Sequence, residues 1–270
     1  MKFLPKFKLG RPLLLDKRQR FTLQTIILTA GLFVTQFIWE DYRFFLVGIL
    51  AILSYFLTAW SLSEDIVGAE WLLLFILPVF FTVSMFLFYF LLPGRWFARL
   101  LVATFFAIGT YAVLLVENIY NVAAIRSIQL LRAAQSIGLL LTLVVIFLSS
   151  NIIYSLRLAY WQNILLFMPI IFILALQSFW SVNLEAKLSR NIIIYSSVVS
   201  LGIGELTHVL SFWPMENAAF SLQVTASAYA LIGIIQQHLL GRLFKNTIQE
   251  YILVFLFSLV LTFLTAKWGG

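Results

Sequence analysis

The sequence predicts an all-α fold: a polytopic integral membrane bundle of about nine transmembrane helices, within a range of roughly eight to ten. Three observations predict it. Of 270 residues, 62% are hydrophobic and only 11% are charged, whereas an average soluble domain is roughly 25% charged. The apolar residues form continuous runs of about 20, and tryptophans mark the ends of these runs. Too few polar side chains remain to cover a water-soluble globule, which excludes ordinary soluble enzymes and disordered proteins.

Nine stretches are long enough to span a bilayer, because about 20 residues at about 1.5 Å each cross a core of about 30 Å. The runs are continuous and do not alternate between apolar and polar residues, which favours helices over a β-barrel. The predicted spans are 21–40, 43–62, 70–92, 96–116, 133–154, 159–182, 191–213, 217–238 and 247–266.

The tryptophans support these boundaries independently, since indole rings prefer the headgroup level of a membrane. All eight fall at or near a predicted span end: Trp39, Trp60, Trp71, Trp96, Trp161, Trp180, Trp213 and Trp268. Pro93-Gly94, Pro214 and Gly241 follow spans at points where a helix should stop.

Residues 1–20 are predicted to form a basic cytoplasmic tail, followed by a single transmembrane domain over 21–270. The tail carries Lys2, Lys6, Lys8, Arg11, Lys17, Arg18 and Arg20 against one acid, Asp16. Basic residues next to a span are retained in the cytoplasm and attract anionic lipid. We therefore expect the bilayer and its anionic lipids as partners. No nucleic-acid partner is expected, because the segment has no recognisable nucleic-acid-binding fold.

The distribution of lysine and arginine predicts the orientation. With the amino terminus inside, thirteen of the 18 basic residues fall on the cytoplasmic side and five outside. Nine spans then place the carboxyl terminus outside the cytoplasm, in a protein of the plasma membrane. The absence of cysteine excludes disulfides and thiolate sites. No phosphate-binding loop, zinc-protease motif or serine-hydrolase elbow occurs either, and no cofactor is expected.

Charged groups inside a membrane are costly and need a partner or a role. In the seventh span, Glu205 and His208 are three residues apart and share a helical face. Three interpretations stay open. The two side chains could form hydrogen bonds with water and lipid headgroups, they could handle protons or a ligand, or they could bind a metal ion. The metal site is the least favoured, because the only other histidine, His238, lies near the opposite membrane face.

Small residues in the same span indicate close helix packing. Ser196, Ser200 and Gly204 recur every four residues, and Ala226, Ala230 and Gly233 offer a small face in the next span. This pattern predicts that spans seven and eight pack together, with Gln223 reaching toward Glu205 or His208. The alternative is plain helix packing with no functional contact.

A second polar cluster is predicted on the cytoplasmic side, within the uninterrupted stretch 117–136. Its candidate residues are Glu117, Asn121, Arg132 and Gln135. Several polar side chains share one arc of a helix here, which is typical of an amphipathic connector or of a wet vestibule. If the chain reverses near Asn121 instead, Glu117 and Arg132 could pair. The two clusters face opposite compartments and are not expected to form one site.

The stretches Glu117 through Gln135 and Leu210-Ser211-Phe212-Trp213-Pro214 resemble those of a family of multi-spanning membrane proteins from small-genome candidate-phylum bacteria. The family has no known activity, so the resemblance assigns no functional residue. It implies a bacterial inner membrane and an unassigned role.

Three functions remain open from the sequence. The first is transport or binding of a small solute or lipid, with Glu205 and His208 handling protons. The second is a structural or assembly subunit, which would bind membrane-protein partners through its helix faces. The third is a membrane-embedded enzyme that uses Glu205 or His208 as an acid–base group, and it has the least support.

Overall fold

A computed structural model describes residues 15–35, 42–63, 71–92, 96–124, 129–185 and 188–268. Within these ranges the regular secondary structure is helical and contains no strand, so the all-α prediction is confirmed. The helices are α1 (Lys17–Val34), α2 (Arg43–Leu62), α3 (Trp71–Leu74), α4 (Ile76–Leu91), α5 (Trp96–Ala123), α6 (Leu131–Ser155), α7 (Tyr160–Asn183), α8 (Arg190–Leu210), α9 (Asn217–Leu239) and α10 (Lys245–Thr265).

Local chemistry sets several of the helix ends. The backbone N–H groups of Asp16 and Ala159 donate to the side-chain carbonyls of Gln19 and Gln162, at 3.1 and 3.0 Å, before α1 and α7. Gly241 follows α9 with a φ of +67°, a conformation that costs glycine little. Phe75 separates α3 from α4, so Pro78 falls in the first turn of α4, where its missing N–H breaks no helical bond.

Eight helices are long and apolar enough to cross a membrane, which fits a multi-pass membrane protein. They contain 19 to 28 residues and match the second to ninth predicted spans, with α3 and α4 together forming the third. The first predicted span, 21–40, differs. Helix α1 starts earlier, at Lys17, and carries Arg18 and Arg20, so it falls outside the eight. The residues after Thr35 in that span, 36–40, lie outside the described part of the chain.

Seven tryptophans lie within a few residues of a helix end: Trp60, Trp71, Trp96, Trp161, Trp180, Trp213 and Trp268. Trp39 lies outside the described residues. The predicted helix ends are therefore confirmed at these seven positions.

The chain divides into two compact units, Met1–Leu141 and Thr142–Gly270, and α6 runs from the first into the second. In the first unit, α1 packs against α2 and α5, and α4 packs against the same two helices. The core of this unit contains Phe81 and Phe86, which contact Phe106 with ring centroids 6.0 and 5.4 Å apart. All three rings are wholly inaccessible.

In the second unit, α7 packs against α8 and α9, and α9 packs against α8 and α10. Tyr154 stacks on the buried ring of Phe220 with centroids 4.1 Å apart, which joins α6 to α9. The carboxyl end is fixed to the α8–α9 connection. Lys267 donates its backbone N–H to Pro214 at 3.0 Å, and its ammonium group lies 3.0 Å from the Glu216 carboxylate.

Candidate functional site

Helices α7 and α8 approach closely where α8 carries small residues. Ser200 Oγ donates to the Met168 carbonyl oxygen at 2.7 Å, across the two helices. A Cβ atom on Gly204 would lie 2.8 Å from Met168 Cγ, closer than side chains tolerate. The small-residue stripe of α8 therefore brings two backbones together, as its spacing predicts, but its partner is α7.

Helices α8 and α9 do pack together, as the sequence predicts, but the packing of Gly233 shows that the small face of α9 is turned to another neighbour. Gly233 of α9 lies against the ring of Tyr251 on α10, so its small face is already occupied by another neighbour. Spacing identifies a small face on each helix, but the shape of the facing side chain decides which faces meet.

Beside this contact, α7 and α8 enclose a groove of about 360 Å³. It is lined by Ile164, Met168, Leu201, Gly204, Glu205, His208 and Val209. Leu201 and Val209 are half exposed, at 50% and 54%, so they lie at the mouth of the groove. Apart from Glu205 and His208, the lining is apolar.

Glu205 lies in the last third of α8, five residues or about 7 Å before the helix ends. Its side chain is exposed, and within the described residues it makes no hydrogen bond or ion pair. A carboxylate in a membrane-spanning helix is costly without a partner, so Glu205 is the residue of this groove with the strongest need for a ligand or water.

His208 lies one turn beyond Glu205, in an aromatic setting. Its ring centroid is 5.3 Å from that of Tyr160 and 5.3 Å from that of Phe212, and those two rings are 5.7 Å apart. His208 Nδ1 is buried, and no described residue hydrogen-bonds to it. These three rings form an aromatic wall that adjoins the groove through His208, because His208 lines the groove and contacts the other two rings.

The described residues contain no group of three or more histidine, aspartate or glutamate side chains that could hold a metal ion. Glu205 and His208 therefore offer two ligand side chains at most. His238 lies at the other end of the helices, with its Nε2 atom 3.4 Å from the Tyr195 hydroxyl.

Gln223 does not join Glu205 and His208. It is wholly buried in α9, donates from Nε2 to Ser227 Oγ at 3.3 Å and accepts from Thr262 Oγ1 at 3.4 Å. Its amide connects α9 with α10, because the face of α9 that bears Gln223 points to α10. The sequence places these three polar residues in neighbouring spans, and the rotation of α9 about its axis separates them.

The four residues of the second predicted polar cluster also differ in their surroundings. Glu117 and Asn121 are buried in α5, and Asn121 Nδ2 donates to the Leu62 carbonyl at 3.4 Å. Arg132 is exposed and Gln135 is half-buried in α6.

The stretch 117–136 contains the end of one helix and the start of another. Helix α5 continues to Ala123, α6 begins at Leu131, and residues 125–128 are outside the described part of the chain. The Tyr120 hydroxyl donates to the Ala134 carbonyl at 3.0 Å, which holds the two helix ends together.

A buried polar group that was not expected from the sequence connects α1 with α2. We call it the Gln24 cluster: Arg20, Gln24, Thr58 and Ser61. All four are wholly buried. Gln24 Nε2 donates to Thr58 Oγ1 at 2.8 Å, and Ser61 Oγ donates to Gln24 Oε1 at 2.7 Å. Arg20 donates from Nη1 to the Trp60 carbonyl at 3.2 Å, so it is unavailable to anionic lipid.

A signal for this cluster exists in the sequence. Arg20 and Gln24 are four residues apart, and Thr58 and Ser61 are three apart, so each pair shares a helical face. Because Arg20 was placed in the predicted cytoplasmic tail, the helical face that it shares with Gln24 was not recognised.

Comparison with known proteins identifies a family that this chain matches. A family model described as a protein of unknown function (DUF5656) matches residues 26–265, which is most of the chain. The resemblance to a family of uncharacterised proteins is therefore confirmed. No curated protein and no solved structure gives a significant match.

Proposed function

The chain belongs to the DUF5656 family of proteins of unknown function, and we propose that this member binds a lipid or a similar small amphiphile in the groove between α7 and α8. The observation that supports the proposal is an apolar groove in two membrane-spanning helices that carries one carboxylate without a protein partner among the described residues. Its volume of about 360 Å³ falls in the range of roughly 300–1,000 Å³ that is typical of small-molecule sites.

The surroundings of the groove favour a ligand from the bilayer over one from water. Leu201 and Val209 at its mouth belong to α8, and neighbouring residues of that helix, including Val198, are also largely exposed. Exposed apolar side chains of a membrane-spanning helix face lipid. An acyl chain could therefore enter sideways, and because it comes from hydrocarbon and not from water, its binding would depend on van der Waals packing in the groove.

Filling the groove tests this proposal. We expect Val209→Phe to reduce the retention of one lipid molecule by about tenfold, because the ring occupies the mouth. Native mass spectrometry of the full chain, purified in mild detergent and supplied with phosphatidylethanolamine, measures this retention.

Val198→Phe is the matched control. Val198 is 56% exposed and Val209 is 54% exposed. The two lie on nearly the same face of α8, eleven residues or about 16 Å apart. Equal retention by the wild type and both variants would refute a lipid site in the groove.

We further propose the orientation predicted from the basic residues: a plasma-membrane protein with its amino terminus in the cytoplasm and its carboxyl terminus outside. Glu205 and His208 then lie near the extracytoplasmic ends of α7 and α8. The remaining basic residues before α1 would contact anionic lipid, and membrane-protein partners could bind the exposed helix faces.

A reporter after Gly270 tests the orientation. An alkaline phosphatase fused there should be active and a green fluorescent protein dark, because nine crossings from a cytoplasmic amino terminus place the carboxyl terminus outside. The same pair inserted after Leu188 should give the opposite result. Fluorescence at the carboxyl terminus would mean that α1 does not cross, and would leave eight spans.

A further inference from the structure

We infer that the groove selects amphiphiles with an organic ammonium head, held by the Glu205 carboxylate and the aromatic wall of Tyr160, His208 and Phe212. The inference rests on the proposed lipid-binding function and names the head group that the site would take.

Charge is the first argument. Glu205 is the only acidic residue in the lining, and the groove contains no lysine or arginine. Among the described residues, none forms an ion pair with Glu205. A carboxylate that borders an apolar groove in a membrane span is stabilised most by a cation that also brings apolar surface. An alkylammonium group has both properties.

The aromatic wall is the second argument. A cation is attracted to a ring face within about 6 Å of the centroid, and aromatic sites are a common solution for quaternary ammonium groups. Tyr160 and Phe212 are 51% and 66% exposed, and both contact His208, which lines the groove one turn from Glu205. The three ring centroids lie within 5.7 Å of one another, so a cation at this wall would be near more than one ring.

The orientation of the groove is the third argument. Val209 is one residue from the end of α8, Glu205 is five residues away and Leu201 is nine residues away. On α7, Ile164 and Met168 are four and eight residues inside the helix start. The charged end thus lies nearer the membrane interface and the apolar end lies deeper, which matches how a lipid places its head and chains.

The test compares two probes with the same acyl chains. Dioleoyl-trimethylammonium-propane carries a quaternary ammonium head, and dioleoylglycerol carries an uncharged head. Each is added to the full chain in mild detergent, and bound molecules are counted by native mass spectrometry. Because the protein carries a formal net charge of +7, non-specific electrostatics would disfavour the cationic probe.

We expect the wild type to retain the cationic probe about fivefold to tenfold better than the neutral one, and Glu205→Gln to reduce this ratio to about one. Glu250→Gln removes an equal charge from an exposed position on α10 and should keep the wild-type ratio. Tyr160→Leu provides a second variant and should lower the ratio without changing the net charge.

The outcomes separate the two proposals. If the wild type retains both probes equally, or if Glu205→Gln keeps the preference, the ammonium inference is wrong. Loss of both probes in Val209→Phe would then still support a lipid groove without head-group selection. If Val209→Phe retains both probes as the wild type does, the proposed function fails as well.

Discussion

Gly109→Ala is expected to lower the free energy of unfolding by about 2 kcal/mol. Gly109 of α5 lies directly against the ring of Phe81 on α4, and an added Cβ atom would overlap that ring. Phe81 is wholly buried and stacks on Phe106, so it has no room to move away. Overpacking of this kind costs about 3 kcal/mol, whereas the higher helix propensity of alanine returns at most about 1 kcal/mol. The steric cost prevails.

Gly48→Ala is the matched control. Gly48 is also inside a helix, α2, but nothing lies within 4 Å of the position its Cβ would take. Only the propensity effect remains, so this change should be neutral or stabilising by up to about 1 kcal/mol. Reversible unfolding of both variants in mixed micelles, followed by circular dichroism, measures the difference. Equal stabilities would show that α4 and α5 are not packed this closely.

Gln24→Leu is expected to destabilise the first unit by about 1–2 kcal/mol. Gln24 bonds to Thr58 and Ser61, and its loss leaves two buried hydroxyl groups of α2 without their interhelical partner. Interhelical hydrogen bonds in membranes contribute about 0.6–2 kcal/mol each, because the separated helices also find other partners. The same unfolding assay measures the loss.

A double-mutant cycle makes this prediction specific to the contact. Thr58→Val should cost less in the Gln24→Leu background than in the wild type, since its partner is already absent. Gln249→Leu changes an exposed glutamine of α10 and should leave stability unchanged within about 0.5 kcal/mol. Additive effects of the Gln24 and Thr58 changes would contradict their direct hydrogen bond.

The site residues show which contacts can be predicted from the spacing of residues in the sequence. Glu205 and His208 were predicted to share a face because three residues separate them on one helix, and both line the same groove. Gln223 was predicted to join them from another helix, but it bonds to Thr262 instead. Relationships within one helix follow from its period, whereas relationships between helices depend on how each one is rotated.

Arg20 shows the same limit at a helix end. A basic run predicts a solvated tail, but Arg20 forms part of α1 and donates to Trp60 from a completely buried position. Burial of this guanidinium depends on acceptors such as the Trp60 carbonyl, which is 40 residues away in the chain.

The order of residues along the chain was enough to predict apolar helices that fit a membrane, and where most of them begin and end. These properties are local, because in hydrocarbon each backbone N–H and C=O must be satisfied within its own helix. The contact between the stripe of α8 and α7, the position of Gln223 against α10 and the groove beside Glu205 became visible only in the folded protein. Those choices depend on how side chains from distant parts of the chain fit together, and apolar packing has no preferred direction that a helical period could encode.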